Sequence, residues 1–186
     1  VSNYLKDLSD SKVDVIELGF RFLPKDKFLG PFAYTTDLFL ETLNLPESIQ
    51  YGVMINASEY LSTKDPVKAI KKYFSHSNKS RISLVRVAIN FDNFDEAKIL
   101  TETLNSLGYK VGLNLMQAHE KEEKEYTKIA MKIREWNSVD VLYFADSFGS
   151  MEPDEIEKII ASIKKAWDGD LGIHTHDNKG FGLINS

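Results

Sequence analysis

The sequence predicts an α/β fold in which about six parallel strands alternate with helices. Six short apolar runs recur along the chain, and segments with helical periodicity lie between them. Successive strand starts are about 30 residues apart, which is the length of one βα unit. The chain has 186 residues, 42% of them hydrophobic and 27% charged, and no linker or composition break divides residues 1–186. We therefore expect one globular domain.

The strands are predicted from nearly continuous apolar, β-branched runs, a pattern typical of parallel strands that are covered on both faces. In chain order they are Val13–Phe20, Tyr51–Ala57, Ile82–Phe91, Tyr109–Met116, Val139–Ala145 and Leu171–His176.

The helices are predicted from apolar residues three and four positions apart and from their end signals. A first helix is expected in the opening stretch, with Tyr4, Leu5 and Leu8. A second helix begins at Asp65-Pro66, and a third runs from Ala97 to a stop at Gly108. A fourth runs from Tyr126 to Trp136, and a fifth runs from Pro153 to Trp167.

Two architectures fit this order of elements: an open doubly wound sheet, or part of an eight-stranded TIM barrel, whose full set of units needs roughly 250 residues. The chain opens on a helix with no strand before it and stops in the helix after the sixth strand. It also begins with Val rather than Met, as an excised segment would. These features favour an incomplete TIM (β/α)8 barrel of about six parallel strands.

Composition excludes several classes of function. The net charge of −5 provides no basic surface for a nucleic-acid backbone. The chain has no cysteine, which excludes disulfides, thiolate catalysis and Cys-ligated zinc, and which is most typical of a reducing cytoplasm. No apolar stretch reaches the roughly 18 residues that a membrane span requires. We expect a cytoplasmic protein without nucleic-acid or membrane partners.

Polar residues follow the predicted strands at their carboxyl ends, where the active sites of both architectures lie. Glu17, Asn114 and Asp146 lie inside or at the end of apolar runs, where an unpaired polar group is costly. The candidate catalytic and substrate-binding residues at these strand ends are Glu17, Arg21, Asn56, Asn114, Gln117, Asp146 and Ser147.

Two of these groups have alternative interpretations. Glu17 and Arg21 could bind a substrate carboxylate, or they could form a mutual or neighbouring ion pair. Asp146 could orient a metal-bound histidine or water, and Ser147 could hold an oxyanion with nearby amides. Residues 146–149 could equally form the turn that leads into the next helix.

The segment "IHTHDNKGFG" at 173–182 contains two of the four histidines. Alternate residues of a strand point to the same face, so His174 and His176 can direct both imidazoles to one divalent cation. A carboxylate would be expected as the third ligand. The alternative is a hydrogen-bonded polar loop. His76 is expected to be a solvated loop residue, and His119 to lie on the surface near the active rim.

Four segments resemble the DRE-TIM metallolyases, the HMG-CoA-lyase-like enzymes, and most closely the 4-hydroxy-2-oxovalerate-type aldolases. They are "VIELGFR" at 15–21, "VGLNLMQ" at 111–117, "VDVLYFADSFGSM" at 139–151 and "GIHTHDNKGFGLINS" at 172–186. The resemblance follows the family order along essentially the whole chain. It implies a TIM barrel that makes or breaks a C–C bond of a 2-oxo acid through an enolate stabilised by Mn²⁺ or Mg²⁺.

The resemblance also implies that this chain holds only part of the site. It assigns the metal to His174 and His176, but the family's third ligand belongs to an Arg-Asp-Gly motif that does not occur here. The six strands then correspond to the family's second to seventh strands. We expect the isolated fragment to be inactive, to hold no metal tightly, and to have sheet edges that favour pairing with another copy.

Three other functions remain open from the sequence. A Claisen-type synthase, which joins an acyl thioester to a 2-oxo acid, would share these motifs. A metallohydrolase would also use His-x-His, although normally on an early strand. The barrel could instead be a non-catalytic binding or scaffolding module.

Overall fold

A computed structural model describes residues 13–119 and 121–186. Its centre is a parallel sheet in which the strands are ordered as they occur in the chain. The strands are β1 (Val15–Phe20), β2 (Gln50–Asn56), β3 (Leu84–Asn90), β4 (Lys110–Met116), β5 (Val141–Asp146) and β6 (Asp170–Thr175).

Helices connect the strands. They are α1 (Pro31–Tyr34), α2 (Asp37–Glu41), α3 (Ala57–Leu61), α4 (Pro66–Tyr73), α5 (Lys98–Ser106), α6 (Glu123–Trp136) and α7 (Pro153–Lys164). Two 3₁₀ segments, Ser77–Lys79 and Phe91–Ala97, complete the connections. Asp65 caps α4 by accepting a hydrogen bond from Lys68 N at 2.9 Å, and Pro66 and Pro153 occupy first-turn positions where no N–H is needed.

The hydrophobic core lies between the helices and one face of the sheet. Its strand residues include Val53, Val85 and Val111, and its helix residues include Leu100 and Ile133, all of them fully buried. The opposite face of the sheet is concave and remains partly open. Because the sheet curls, the carboxyl ends of the strands converge on one rim of this concave face.

One irregularity in β1 determines which of its side chains reach the concave face. The register with β2 runs from Glu17 opposite Gly52 to Phe20 opposite Met54, so β1 contains one extra residue between these pairs. Gly19 lies in this bulge with φ of 148°, and a Cβ there would lie 2.3 Å from the carbonyl oxygen of Phe32. The bulge reverses the facing of the residues that follow it.

The structure confirms the predicted fold class. The six strands form a curled half-barrel that alternates with helices, as an incomplete TIM barrel requires. The ends of the strands and of α4 to α7 differ from the predicted ends by only a few residues, whereas the short helices α1, α2 and α3 were not predicted. The helix predicted in the opening stretch lies outside the described residues. No helix among the residues described here is long and apolar enough to cross a membrane.

Candidate functional site

A cavity of about 530 Å³ lies at the carboxyl ends of the strands, on the concave face of the half-barrel. Its polar lining consists of Asn56, Asn90, Asn114, Gln117, Ser147, His174 and His176. Its apolar lining consists of Phe20, Phe22, Met54, Ala88, Met116 and Ala145. The structure therefore brings six of the nine predicted site residues to one cavity.

The two histidines at the end of β6 face each other. Their Nε2 atoms are 3.1 Å apart, and their ring planes are inclined by 63°. With metal–nitrogen bonds of about 2.1 Å, this separation corresponds to an angle of roughly 95° at a shared ion, as for neighbouring ligands. The pair therefore fits two coordination positions of a divalent cation, and the same distance is that of a hydrogen bond between the two rings, which was the alternative interpretation.

The environment of His174 favours the neutral imidazole, which is the form that binds metal. Burial is the largest cause that lowers the pKa of His174, and the positive charge of Arg86 and the proximity of His176 lower it further. Within residues 13–119 and 121–186, this cavity included, no group of three or more His, Cys, Asp or Glu side chains could hold a metal ion. The pair thus supplies two ligands without a protein carboxylate as a third.

Carboxamides line the same cavity as the histidines. Asn56 and Asn90 cap the segments that follow β2 and β3, since their Oδ1 atoms accept from Ser58 N at 3.2 Å and Asp92 N at 3.0 Å. Asn90 Nδ2 also donates to Gln117 Oε1. Gln117 N in turn donates to Ser147 Oγ at 2.9 Å, which leaves the Ser147 hydroxyl proton available to a ligand.

A charged layer lies next to this cavity in the barrel interior. Arg86 Nε is 2.9 Å from Glu17 Oε2, Arg86 Nη2 donates to Glu17 Oε1 at 3.0 Å, and the guanidinium lies 5.1 Å from the centroid of the Tyr143 ring. Burial raises the pKa of Glu17, and the Arg86 charge opposes this effect. Glu17 was predicted at the site, and the structure places it in this layer rather than in the cavity lining.

Glycines on the even strands make room for this layer. Gly52, Gly112 and Gly172 lie opposite Glu17, Arg86 and Tyr143 in the sheet register. A Cβ at Gly172 would lie 2.2 Å from Tyr143 Cε1. Large side chains from odd strands therefore fill the interior above glycines on even strands, the alternation that characterises barrel interiors.

Arg21 was predicted to bind substrate, and the structure does not bring it to the cavity. Its side chain is 2% exposed and points into the helix layer. Nε and Nη2 donate to Thr35 O at 3.0 and 2.7 Å, Nη2 donates to Asp37 Oδ1 at 2.9 Å, and Nη1 donates to Tyr73 O at 3.3 Å. Glu17 and Arg21 each have a neighbouring ion-pair partner, which was the alternative interpretation.

Asp146 is also absent from the cavity lining. It is fully buried, and its two carboxylate oxygens accept hydrogen bonds from Ser150 N at 3.0 Å and Met151 N at 3.1 Å. The turn thus formed packs Gly149 against the segment after β6, where a Cβ would lie 2.6 Å from Asn178 N. Asp146 therefore shapes the turn into α7, and in the sheet register it lies opposite Thr175, the residue between the two histidines.

The two remaining histidines lie apart from the cavity. His76 is exposed, as expected. His119 packs against Phe148 with ring centroids 4.3 Å apart, on the rim beyond β4.

Sequence reasoning missed several residues that shape the site. Arg86 carried a detectable signal, a charge inside the apolar run of β3. Asn90 is the last residue of the same strand and was not included with the other candidate carboxamides. Phe20 and Phe22 had no such signal, because their facing depends on the bulge in β1.

The family model described as HMGL-like matches residues 43–186. Among curated proteins, 4-hydroxy-2-oxovalerate aldolase 2 of Nocardia farcinica is 30% identical over 105 residues, which cover 56% of this chain and 30% of that protein. The 4-hydroxy-2-oxovalerate aldolase of Geobacillus genomosp. 3 is 26% identical over 153 residues, covering 75% and 45% respectively. The chain thus spans less than half the length of these relatives.

Solved structures show the same architecture. The N-terminal domain of a candidate aldolase from Bacteroides vulgatus superposes with a TM-score of 0.83 at 25% identity, over 100% of this chain and 62% of that one. The carboxyl transferase domain of Rhizobium etli pyruvate carboxylase gives a TM-score of 0.64 at 15% identity, over 74% of this chain and 24% of that chain. The second likeness concerns the fold alone.

Proposed function

This chain belongs to the HMGL-like family, and from that premise we propose that it forms the metal-binding part of a divalent-metal-dependent aldolase or lyase. The proposed reaction makes or breaks a C–C bond next to the carbonyl of a 2-oxo acid, with an aldehyde as the second small molecule. The convergence of His174 Nε2 and His176 Nε2 at 3.1 Å inside the cavity is the observation that supports this proposal.

His174 and His176 would hold the divalent ion, Mn²⁺ or Mg²⁺. When bound, such an ion polarises a carbonyl oxygen and stabilises the negative charge of an enolate. Its further ligands would be substrate, water or groups outside the described residues. The described residues supply two such ligands, which is consistent with weak metal binding and no turnover by this segment alone.

The chain's other residues would orient the substrate and control charge. Ser147 can donate its hydroxyl proton to a substrate oxygen, because its Oγ already accepts from Gln117 N. Arg86, fixed by Glu17, provides positive charge next to His174 and so favours the neutral, metal-binding imidazole. Glu17 therefore acts in this proposal as a positioning residue for Arg86.

The decisive experiment uses the full-length protein with Mn²⁺ titration by calorimetry and with pyruvate release from 4-hydroxy-2-oxo acids. His174→Ala and His176→Ala should each weaken Mn²⁺ binding more than about 100-fold, because even outer-shell partners of metal ligands contribute about 10–100-fold. Both variants should lose pyruvate release. His76→Ala, in an exposed loop, is the matched control and should behave as the unaltered protein.

Unchanged Mn²⁺ affinity and turnover in both histidine variants would exclude a metal-dependent lyase and favour a non-catalytic barrel. Condensation of acetyl-CoA with a 2-oxo acid, without reaction between pyruvate and an aldehyde, would instead assign the site to a synthase.

The edge strands support a further part of the proposal, association with another copy. Within the described residues, β1 and β6 each pair with a strand on one side only. Analytical ultracentrifugation of the 186-residue chain should detect self-association, since unpaired edges favour strand addition. A monomer over the whole concentration range would contradict this.

A further inference from the structure

The side-chain amides that line the cavity differ in how many of their hydrogen-bonding groups have a partner within the protein. Asn56 Oδ1 accepts from both Ser58 N and Ser58 Oγ, and Asn90 uses its Oδ1 and Nδ2 for Asp92 N and Gln117 Oε1. These bonds fix which atom of each amide is the carbonyl oxygen. In the side chains of Asn56 and Gln117, the group without a partner in residues 13–119 and 121–186 is therefore the NH₂ group, which is a donor.

Asn114 differs from them, because the group that lacks a partner is its acceptor. It is 3% exposed, it lines the cavity, and its Oδ1 is buried without a hydrogen-bond donor among the described residues. A buried acceptor without a donor is costly, so a bound molecule that offers an O–H or N–H group to this oxygen gains affinity. The carboxylate and ketone of a 2-oxo acid, and the carbonyl of a simple aldehyde, offer only acceptors.

The backbone at Gln117 indicates that this side of the cavity is built for binding. Gln117 has φ of 55°, in the left-handed region that glycine favours, and the bond from its N–H to Ser147 Oγ holds it there. Non-glycine residues in this region cluster at ligand sites, where the surrounding structure maintains the strain.

The opposite wall is flat and apolar. Phe20 and Phe22 stack with ring centroids 4.6 Å apart and planes 17° apart, and both line the cavity. Phe20 is 38% exposed, so part of its ring is open to a ligand. Such rings accept the C–H face of a hydroxylated carbon chain, while the carboxamides bond to its hydroxyl groups.

We propose that the aldehyde half of the substrate is a hydroxylated chain of the sugar type. One of its hydroxyl groups donates to Asn114 Oδ1, other hydroxyl oxygens accept from the amides of Asn56 and Gln117, and its C–H face lies on Phe20. This inference rests on the proposed function, because it specifies the second substrate of that reaction.

The competing role for Asn114 is a contact with the hydroxyl group that the aldol reaction itself creates. That hydroxyl is present with every aldehyde, whereas the additional hydroxyls are present only with a hydroxylated one. The first role therefore predicts that loss of Asn114 lowers kcat/KM mainly for hydroxylated aldehydes, and the second predicts an equal loss for all aldehydes.

The test compares erythrose with butanal, two aldehydes of the same carbon number, each with pyruvate and the full-length protein. The unaltered protein should show at least about a tenfold higher kcat/KM with erythrose, because sites built to bond a hydroxyl discriminate strongly against analogues without it. Asn114→Leu should lower kcat/KM at least about tenfold more for erythrose than for butanal. Asn105→Leu, the same change at an exposed position of α5, should preserve the ratio.

An equal loss for both aldehydes in Asn114→Leu, or a preference of the unaltered protein for butanal, would overturn the proposal. Gln117→Met provides a second variant at an exposed side chain and should also lower the ratio of kcat/KM for erythrose to kcat/KM for butanal.

Saturation-transfer NMR with erythritol and 1-butanol separates this proposal from the proposed function. Erythritol binding that Asn114→Leu abolishes, without turnover of any aldehyde, would refute the lyase and support the hydroxyl site. Absence of erythritol binding would refute the hydroxyl site, whatever the turnover.

Discussion

Replacing Arg21 by Met tests whether this arginine stabilises the fold or binds substrate. Met is similar in length and apolar, so it fills the space while removing the charge and all donors. In the structure the guanidinium bonds to Thr35 O, Tyr73 O and Asp37, and it lies 4.6 Å from the centroid of the Phe74 ring.

The cost follows from the groups that lose their partner. Removing one partner of a buried ion pair typically costs about 3–5 kcal/mol. The lower end applies here, because the Asp37 side chain is 28% exposed and keeps bonds from Ser75 Oγ at 3.0 Å and Ser80 Oγ at 2.7 Å. Thr35 O, in a fully buried residue, loses both donors from Arg21. We expect about 3 kcal/mol, or a Tm lower by about 6–12 °C.

Urea denaturation followed by circular dichroism measures this loss, and steady-state kinetics show whether KM changes. Arg21→Lys should lose about half as much stability, since one ammonium cannot reproduce the two-pronged bond to Thr35 O. Arg134→Met is the matched control: its ion pair with Asp168 is exposed and should contribute less than about 1 kcal/mol. Unchanged stability together with a raised KM in Arg21→Met would refute the structural role and restore the substrate role.

Three further predictions concern the barrel interior and its turns. Gly172→Ala should lower the free energy of unfolding by about 1–3 kcal/mol, because the added methyl group overpacks against Tyr143. In a Tyr143→Ala background the same change should cost much less, and urea denaturation of all four proteins of the double-mutant cycle measures the difference. Asp146→Ala should cost about 1–3 kcal/mol by leaving the buried N–H of Met151 without an acceptor; thermal denaturation measures this, and Asp146→Asn, which keeps one acceptor, should lose less. Burial raises the pKa of Glu17 above 4.5, so the protonated carboxyl is favoured in the folded state. The free energy of unfolding that this preference contributes is fully present at low pH and is lost as the pH rises above 4.5. Glu17→Gln should flatten that fall in a series of urea titrations from acid to neutral pH, and an unchanged slope would contradict it.

The order of the strands and of the four longer helices, α4 to α7, could be predicted because burial of one sheet face leaves a strong pattern in the sequence; the short helices α1, α2 and α3 were not predicted. Continuous apolar runs gave all six strands, and stripes through Leu100 and Ile133 gave the packing faces of two helices. The paired histidines were predicted to share a face from the two-residue period of a strand alone, and their Nε2 atoms do converge.

The facing of Arg21 could not be predicted, because regular alternation from Glu17 would place Gly19 and Arg21 on the same face as Glu17. The extra residue in β1 reverses the facing after Gly19, so Phe20 and Phe22 reach the cavity and Arg21 enters the helix layer. A glycine inside an apolar run is the one local signal of such a bulge, and it does not specify where the register shifts.

The roles of Asp146 and Arg86 also depend on groups distant in the sequence. An acidic residue at the end of a strand looks the same whether it faces a cavity or accepts bonds from the next turn. Only the positions of Ser150 N and Met151 N decide between them. Arg86 reaches its partner, Glu17, across β2, and no local pattern links residues 69 positions apart.

The sequential order of the six strands has a consequence for how the chain folds. Among the described strands, each pairs only with the strands immediately before and after it in the chain, so every added βα unit forms its first sheet hydrogen bonds with a strand that already precedes it. Folding can then propagate along the chain in short steps, without waiting for distant segments to meet. We expect amide hydrogen exchange to be slowest in β3 and β4, the two central strands of the sheet, and to become faster toward the edge strands β1 and β6.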